Sequence, residues 1–156
     1  MRFAAIALIA YLAIPLSSAT AGPAEEANAA LDGFSAAYSA NDVDALVKLF
    51  TVDTVLLGTN SPIISEGNEA VRAYFTNLKL PGSGNKNKIE QRRTIVLNDN
   101  NVVITGFYEF TRMKDGQPVA GPSRYTAVLT KKGDQWQIAH LHSSPRAMPK
   151  PPEAAK

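Results

Sequence analysis

The chain has 156 residues, no cysteine and a formal charge of +2 at pH 7. That length holds one domain, and a near-neutral charge argues for neither nucleic acid nor an anionic membrane as partner. Without cysteine the chain forms no disulfide, thiol nucleophile or thiolate metal site.

The N-terminus reads as a separate object. Arg2 precedes an apolar run from Phe3 to Leu16, followed by the small residues Ser17, Ser18, Ala19, Thr20 and Ala21. The run is shorter than the ~20 residues a membrane-spanning helix needs. Ala19-Thr20-Ala21 fits a small-x-small cleavage site. The expectation is a signal peptide over 1–21, cleaved near Ala21, a mature domain over 22–149, and a disordered tail over 150–156. Losing Arg2 takes the formal charge from +2 to +1. The expected location is periplasmic or secreted, with no stable membrane anchor.

Glu25 to Ala40 is Ala-rich, with two glutamates in its first turn and Leu31, Phe34 and Tyr38 at helical spacing, which predicts a helix. Asp42 is placed to cap a short second helix, Val43 to Phe50. Thr54 to Leu57 predicts a strand, and Asn60-Ser61-Pro62 a turn. Gly67 to Leu78 predicts a third helix, and Pro81 to Asn85 a loop. The period then changes to two. Lys88–Leu97, Val102–Met113, Ser123–Lys132 and Gln135–Ser144 predict four long strands, joined by Asn98 to Asn101, Asp115-Gly116 and Gly133-Asp134. Helices followed by an antiparallel meander predict an α+β domain whose sheet curls around the helices and leaves a concave pocket.

The stretch Ser123 to Pro149 resembles the end of the calcium/calmodulin-dependent protein kinase II association domain, on Gly133, Trp136, Ile138, His140, His142 and Ser144. Gly67, Arg72, Tyr74, Phe75, Asn77 and Leu78 of the third helix also match. The resemblance implies the nuclear transport factor 2-like cone fold, shared with SnoaL-like proteins, ketosteroid isomerase and scytalone dehydratase. It also implies a homodimer, stacked in that family into larger rings, and a pocket. No kinase domain accompanies it, and nothing calls for a cofactor. The family's pocket holds buried arginines. The register taken without gaps puts those positions at Phe107, Ala127 and Ser143, none of them basic.

That same register puts Phe107, Glu109, Tyr125, Ala127, Leu129, Ala139, Leu141 and Ser143 on the cavity face. Trp136, Ile138, His140, His142 and Ser144 then share the outer face, where Trp136, Ile138 and Val128 are expected to form a two-fold dimer interface. The expected ligand-binding residues are Phe107, Glu109, Tyr125, Ala127, Leu141, Ser143, Arg72 and Arg124. Arginine forks suit carboxylates, which makes Arg72, Arg124 and, less so, Arg93 candidates for an anion clamp.

Glu109 with Tyr125 or Tyr108, and His142, are the candidates for acid–base chemistry, since burial raises a carboxylate toward working pH. His140 and His142 lack a third ligand for zinc, so no metal site is expected. Tyr38, Asp42 and Asp44 read as packing and capping residues. Lys86, Lys88, Arg92 and Arg93 read as a solvated strand edge, without the aromatics a single-stranded nucleic acid would need. Two functions remain open. One is an exported dimeric binding or assembly module with a mainly apolar pocket and an unidentified small molecule. The other is a SnoaL-like enzyme doing isomerase-, dehydratase- or hydrolase-type proton transfer in the same cavity.

Overall fold

The computed structural model describes residues 21–79 and 84–147. The expected leader, apart from its last residue, the centre of the loop expected over residues 81–85 and the expected tail lie outside the described residues. No described helix is long and apolar enough to cross a membrane.

Helix α1 spans Pro23–Ala40, with proline in its first turn and Ala27, Leu31 and Phe34 buried along one stripe. It ends on Asn41, in the left-handed conformation at φ 59°. The Asp42 carboxylate accepts the Ala45 N–H at 2.9 Å and opens α2, Val43–Lys48. The expected continuation of α2 to Phe50 is wrong: Phe50 begins strand β1, Phe50–Leu57. Tertiary contacts decide this. The Leu49 carbonyl takes the Ile138 N–H at 2.7 Å, and the Phe50 ring packs 6.1 Å from Phe34 and 6.3 Å from Phe75. Strand β2 (Ser65–Glu66) pairs back on β1, and α3 (Gly67–Phe75) runs into a 3-10 turn over Thr76–Lys79.

The expected meander follows as β3 (Lys86–Asn98), β4 (Asn101–Lys114), β5 (Gln117–Lys132) and β6 (Gln135–Pro145). The six strands form one sheet in the order β2-β1-β6-β5-β4-β3. Its one parallel pair is β1 with β6, which the purely antiparallel expectation did not include. Asp115 and Gly116 both have positive φ, as a tight two-residue hairpin requires. β5 starts before Ser123, the expected start, despite Pro118 and Pro122. Its first residues pair only with β4, and pairing to β6 begins at Ser123, so prolines there interrupt no second ladder. At Gly106 an added Cβ would overlap the Gln91 carbonyl, and β3 bulges opposite it, between Ile89 and Gln91.

The core lies between the helices and the inner sheet face. α1 is tied across β3 by the paired Arg92–Asp32 contacts at 2.7 and 3.1 Å. Its other end is tied to the last hairpin, where Glu26 accepts from Lys131 Nζ and Trp136 Nε1, each at 2.7 Å.

Trp136 and Ile138 were expected outside; both are buried and face the helices. A bulge causes the difference. Leu129 pairs with Ile138 but Val128 pairs with His140, so Ala139 is the extra residue and side-chain parity flips there. The buried Thr54 hydroxyl donates to the Ile138 and Ala139 carbonyls at 3.1 and 3.2 Å, which holds the bulge from the neighbouring strand. Leu141 therefore faces inward together with Trp136, and both lie in one core.

Candidate functional site

The inner face encloses a cavity of about 580 Å³ between α1, α3 and the sheet. Six rings wall it: Phe34, Tyr38, Tyr74, Phe75, Tyr108 and Phe110. They touch in chains, with Tyr38 4.8 Å from Phe110 and Phe110 4.5 Å from Tyr108. Leu56 and Leu141 add aliphatic surface. Gly58 leaves room for Tyr74, whose ring lies where a Cβ would stand.

The polar groups on this wall are few. Thr59 and Ser143 hydroxyls bond to each other. The Tyr108 hydroxyl lies near both, is fully buried, and makes no well-formed hydrogen bond. Burial pushes its phenol well above the ordinary value, and the Ser143 and Thr59 hydroxyls only partly offset this. Burial pushes Tyr38 up to about 12, with the Arg112 charge pulling the other way, and also raises Tyr74. Such phenols stay protonated at neutral pH and are hydrogen-bond donors rather than bases. Among the described lining residues there is no aspartate, glutamate, histidine or lysine.

Of the expected ligand residues, Leu141 and Ser143 line this cavity. Tyr125 and Ala127 face the same side but are core, buried beside Tyr108 rather than on the cavity wall. Phe107 and Glu109 do not face inward. Tyr108 pairs with the inward Ser123, so its neighbours on β4 point outward. The position expected at Phe107 thus falls, on the inner face, to the neighbouring Tyr108. Glu109 is not buried in the cavity, which removes it as an enclosed base. Arg72 pairs with Asp44 on the exposed helical surface.

Arg124 lies on the outer face, where its Nε donates to Ser144 at 3.1 Å. That face carries a second, more open hollow of about 480 Å³, lined by Arg93, Phe107, Arg124, Thr126 and His142 among others. His140 and His142 share this outer face, and no group of three metal-ligating side chains occurs among the described residues.

Known proteins share this architecture. The model of the SnoaL-like domain family matches residues 27–149. The chain belongs to the SnoaL-like domain family. A solved structure from Xanthomonas campestris, named as a calcium/calmodulin dependent protein kinase II association domain, is 29% identical. It covers 86% of this chain and 98% of its own, with a TM-score of 0.71. A calcium/calmodulin dependent protein kinase II hub homology domain from Chlamydomonas reinhardtii is 20% identical over 78% of this chain and 97% of its own, at a TM-score of 0.67. A ketosteroid isomerase-like protein from Erwinia carotovora is 18% identical over 80% of this chain and 97% of its own, also at 0.67. These last two show the shared fold, the nuclear transport factor 2-like cone. Among curated proteins, none matches the chain.

From the sequence, Tyr108 stood only as an alternative to Tyr125, and Tyr38 read as a packing residue. One signal was available. The two-residue Asp115-Gly116 turn sets Lys114 opposite Gln117, and counting back puts Gly106, not Phe107, opposite Tyr125. If Tyr125 faces inward, Tyr108, Phe110 and Arg112 do too.

Proposed function

We propose that the mature domain is an exported, homodimeric binding module that holds an apolar small molecule in the inner cavity. One observation carries this reading. The wall combines six aromatic rings with a buried, unpartnered Tyr108 hydroxyl, and no described lining residue supplies a carboxylate, imidazole or amine. Aromatic walls with one or two fixed donors suit binding and orientation. Proton abstraction needs a base near working pH, and the raised phenols are not that. The isomerase-, dehydratase- or hydrolase-type alternative relied on Glu109 and His142 as bases, and both lie on the other side of the sheet.

The test is a thermal-shift screen of the mature domain against apolar small molecules, with native mass spectrometry for co-purified ones. The expected result is a shift with ring-bearing compounds and one molecule per protomer. No shift with any small molecule would favour a pure assembly role and contradict the reading.

Export rests on the leader pattern from Arg2 to Ala21. N-terminal sequencing of protein recovered from the periplasm or medium is expected to start at Gly22; recovery of the intact leader in the cytoplasm would contradict it. Dimerisation rests on the outer face. Ile95, Val103, Val128 and His140 form one cross-strand row there, and Gln91, Phe107, Arg124 and Ser144 another. The interface is thus assigned to Val128 with Ile95, Val103 and Phe107, in place of Trp136 and Ile138.

A further inference from the structure

We propose that the cavity's ligand is an apolar, ring-bearing carboxylate whose anionic group is held by Arg112 at the cavity mouth. The inference rests on the binding-module reading and names the chemical class that module takes.

Arg112 follows Tyr108 and Phe110 on the inward-facing side of β4 and lines the cavity near its exposed end. Its backbone pairs with Val119, while its exposed guanidinium makes no ion pair and no hydrogen bond among the described residues. The other arginines near the helical layer are committed: Arg92 to Asp32, and Arg72 to Asp44. Arg146 also borders the cavity, but its guanidinium turns to the outer side, 2.9 Å from Glu90 and 4.8 Å from the Phe107 ring centroid. Arg112 is therefore the uncommitted cation on this wall, and no described lining residue is acidic.

The charge is felt inside. It pulls the Tyr38 phenol down against the burial that pushes it up, so the guanidinium projects positive potential onto the ring wall. A carboxylate placed there takes up two parallel charge-assisted hydrogen bonds, while its apolar body displaces water from the six rings. Between Arg112 and Tyr108 lie four strand steps, about 13 Å of backbone. That span suits a body of about two fused rings on a short linker, reaching from the guanidinium to the buried Tyr108 hydroxyl.

The test uses two probes of the same shape, naphthylacetate and its neutral counterpart naphthylethanol, titrated calorimetrically into the mature domain and into Arg112→Gln. A charge-assisted contact predicts that the wild type binds the acid about ten- to a hundredfold more tightly than the alcohol. Arg112→Gln is expected to erase that preference while leaving the alcohol's affinity unchanged. Higher salt is expected to weaken the acid and not the alcohol. Equal binding of acid and alcohol, or an acid affinity unaffected by Arg112→Gln, overturns the carboxylate assignment and leaves the cavity reading standing. If the wild type binds neither probe, the cavity reading falls and this inference with it. Circular dichroism of Arg112→Gln verifies that any lost preference occurs in a folded protein.

Discussion

The phenol rings of Tyr108 and Tyr125 stack across neighbouring strands, centroids 4.6 Å apart and planes 6° from parallel, and neither buried hydroxyl has a hydrogen-bond partner. The stacked rings contribute apolar burial, whereas an unpartnered hydroxyl costs free energy in the empty protein. Tyr108→Phe keeps the ring and removes the unmet donor, so it is expected to leave thermal stability unchanged or raise it by about 1 kcal/mol. The same substitution is expected to weaken ligand binding. Tyr108→Ala, by contrast, is expected to cost about 3–5 kcal/mol. Chemical denaturation measures both, and a Phe variant as destabilised as the Ala variant would show that the hydroxyl is satisfied.

Thr54 offers a second test, this time of the sheet. Its hydroxyl donates to both carbonyls at the Ala139 bulge and is fully buried. Thr54→Val keeps the shape and leaves those acceptors short of a donor, an expected loss of about 1–3 kcal/mol. Denaturant melts of the two proteins decide it. A neutral Thr54→Val would mean that the bulge holds without this contact.

Acid lability is expected at the Glu26 node. The Lys131 ammonium and the Trp136 indole N–H hold the Glu26 carboxyl below its ordinary value of 4.5. A carboxylate lowered in the folded state adds stability above its unfolded value, and that stability is lost as pH falls through the lowered folded value. Stability should therefore fall as pH drops below about 4.5, with a change in Trp136 emission. Glu26→Gln is expected to flatten the dependence in that window. Identical acid profiles for the two proteins would contradict this. At the alkaline end the sign reverses. Burial raises Tyr38 and Tyr125 to about 12, so their contribution is present below pH 10 and is lost as pH rises toward 12.

The outer face makes its own prediction. Val128 sits half-buried in the row Ile95, Val103, Val128 and His140. Val128→Lys places a charge in the middle of the proposed interface without touching the inner core. Light scattering at micromolar concentration is expected to give a dimer for the mature domain and a monomer for Val128→Lys. A monomeric wild type would remove the dimer.

Much of this architecture was legible from residue periodicity. The helix at Pro23–Ala40, the Asp42 cap and the four long strands follow from local pattern and turn chemistry. What was not legible came from long-range contacts. Phe50 left its helix because Phe34, Phe75 and the Leu49–Ile138 hydrogen bond claim that segment for the sheet. The Ala139 bulge carries no glycine to announce it, because Thr54, 85 residues away in sequence, holds it. The bulge put Trp136 and Ile138 on the wrong face, and a separate one-residue slip in the pairing of β4 with β5 put Phe107 and Glu109 inside. Leu141 and Ser143 were placed on the cavity side because they follow the bulge and share the histidines' strand in the opposite phase.

The most direct test of the whole account is to fill the hollow and watch an apolar dye. Anilinonaphthalene sulfonate fluorescence is titrated against the mature domain, Leu141→Trp, which projects an indole into the cavity, and Val128→Lys on the outer face. One dye per protomer is expected in the wild type, lost in a folded Leu141→Trp and retained in Val128→Lys. Dye binding that survives Leu141→Trp and disappears in Val128→Lys would place the ligand site on the outer side of the sheet and contradict the account.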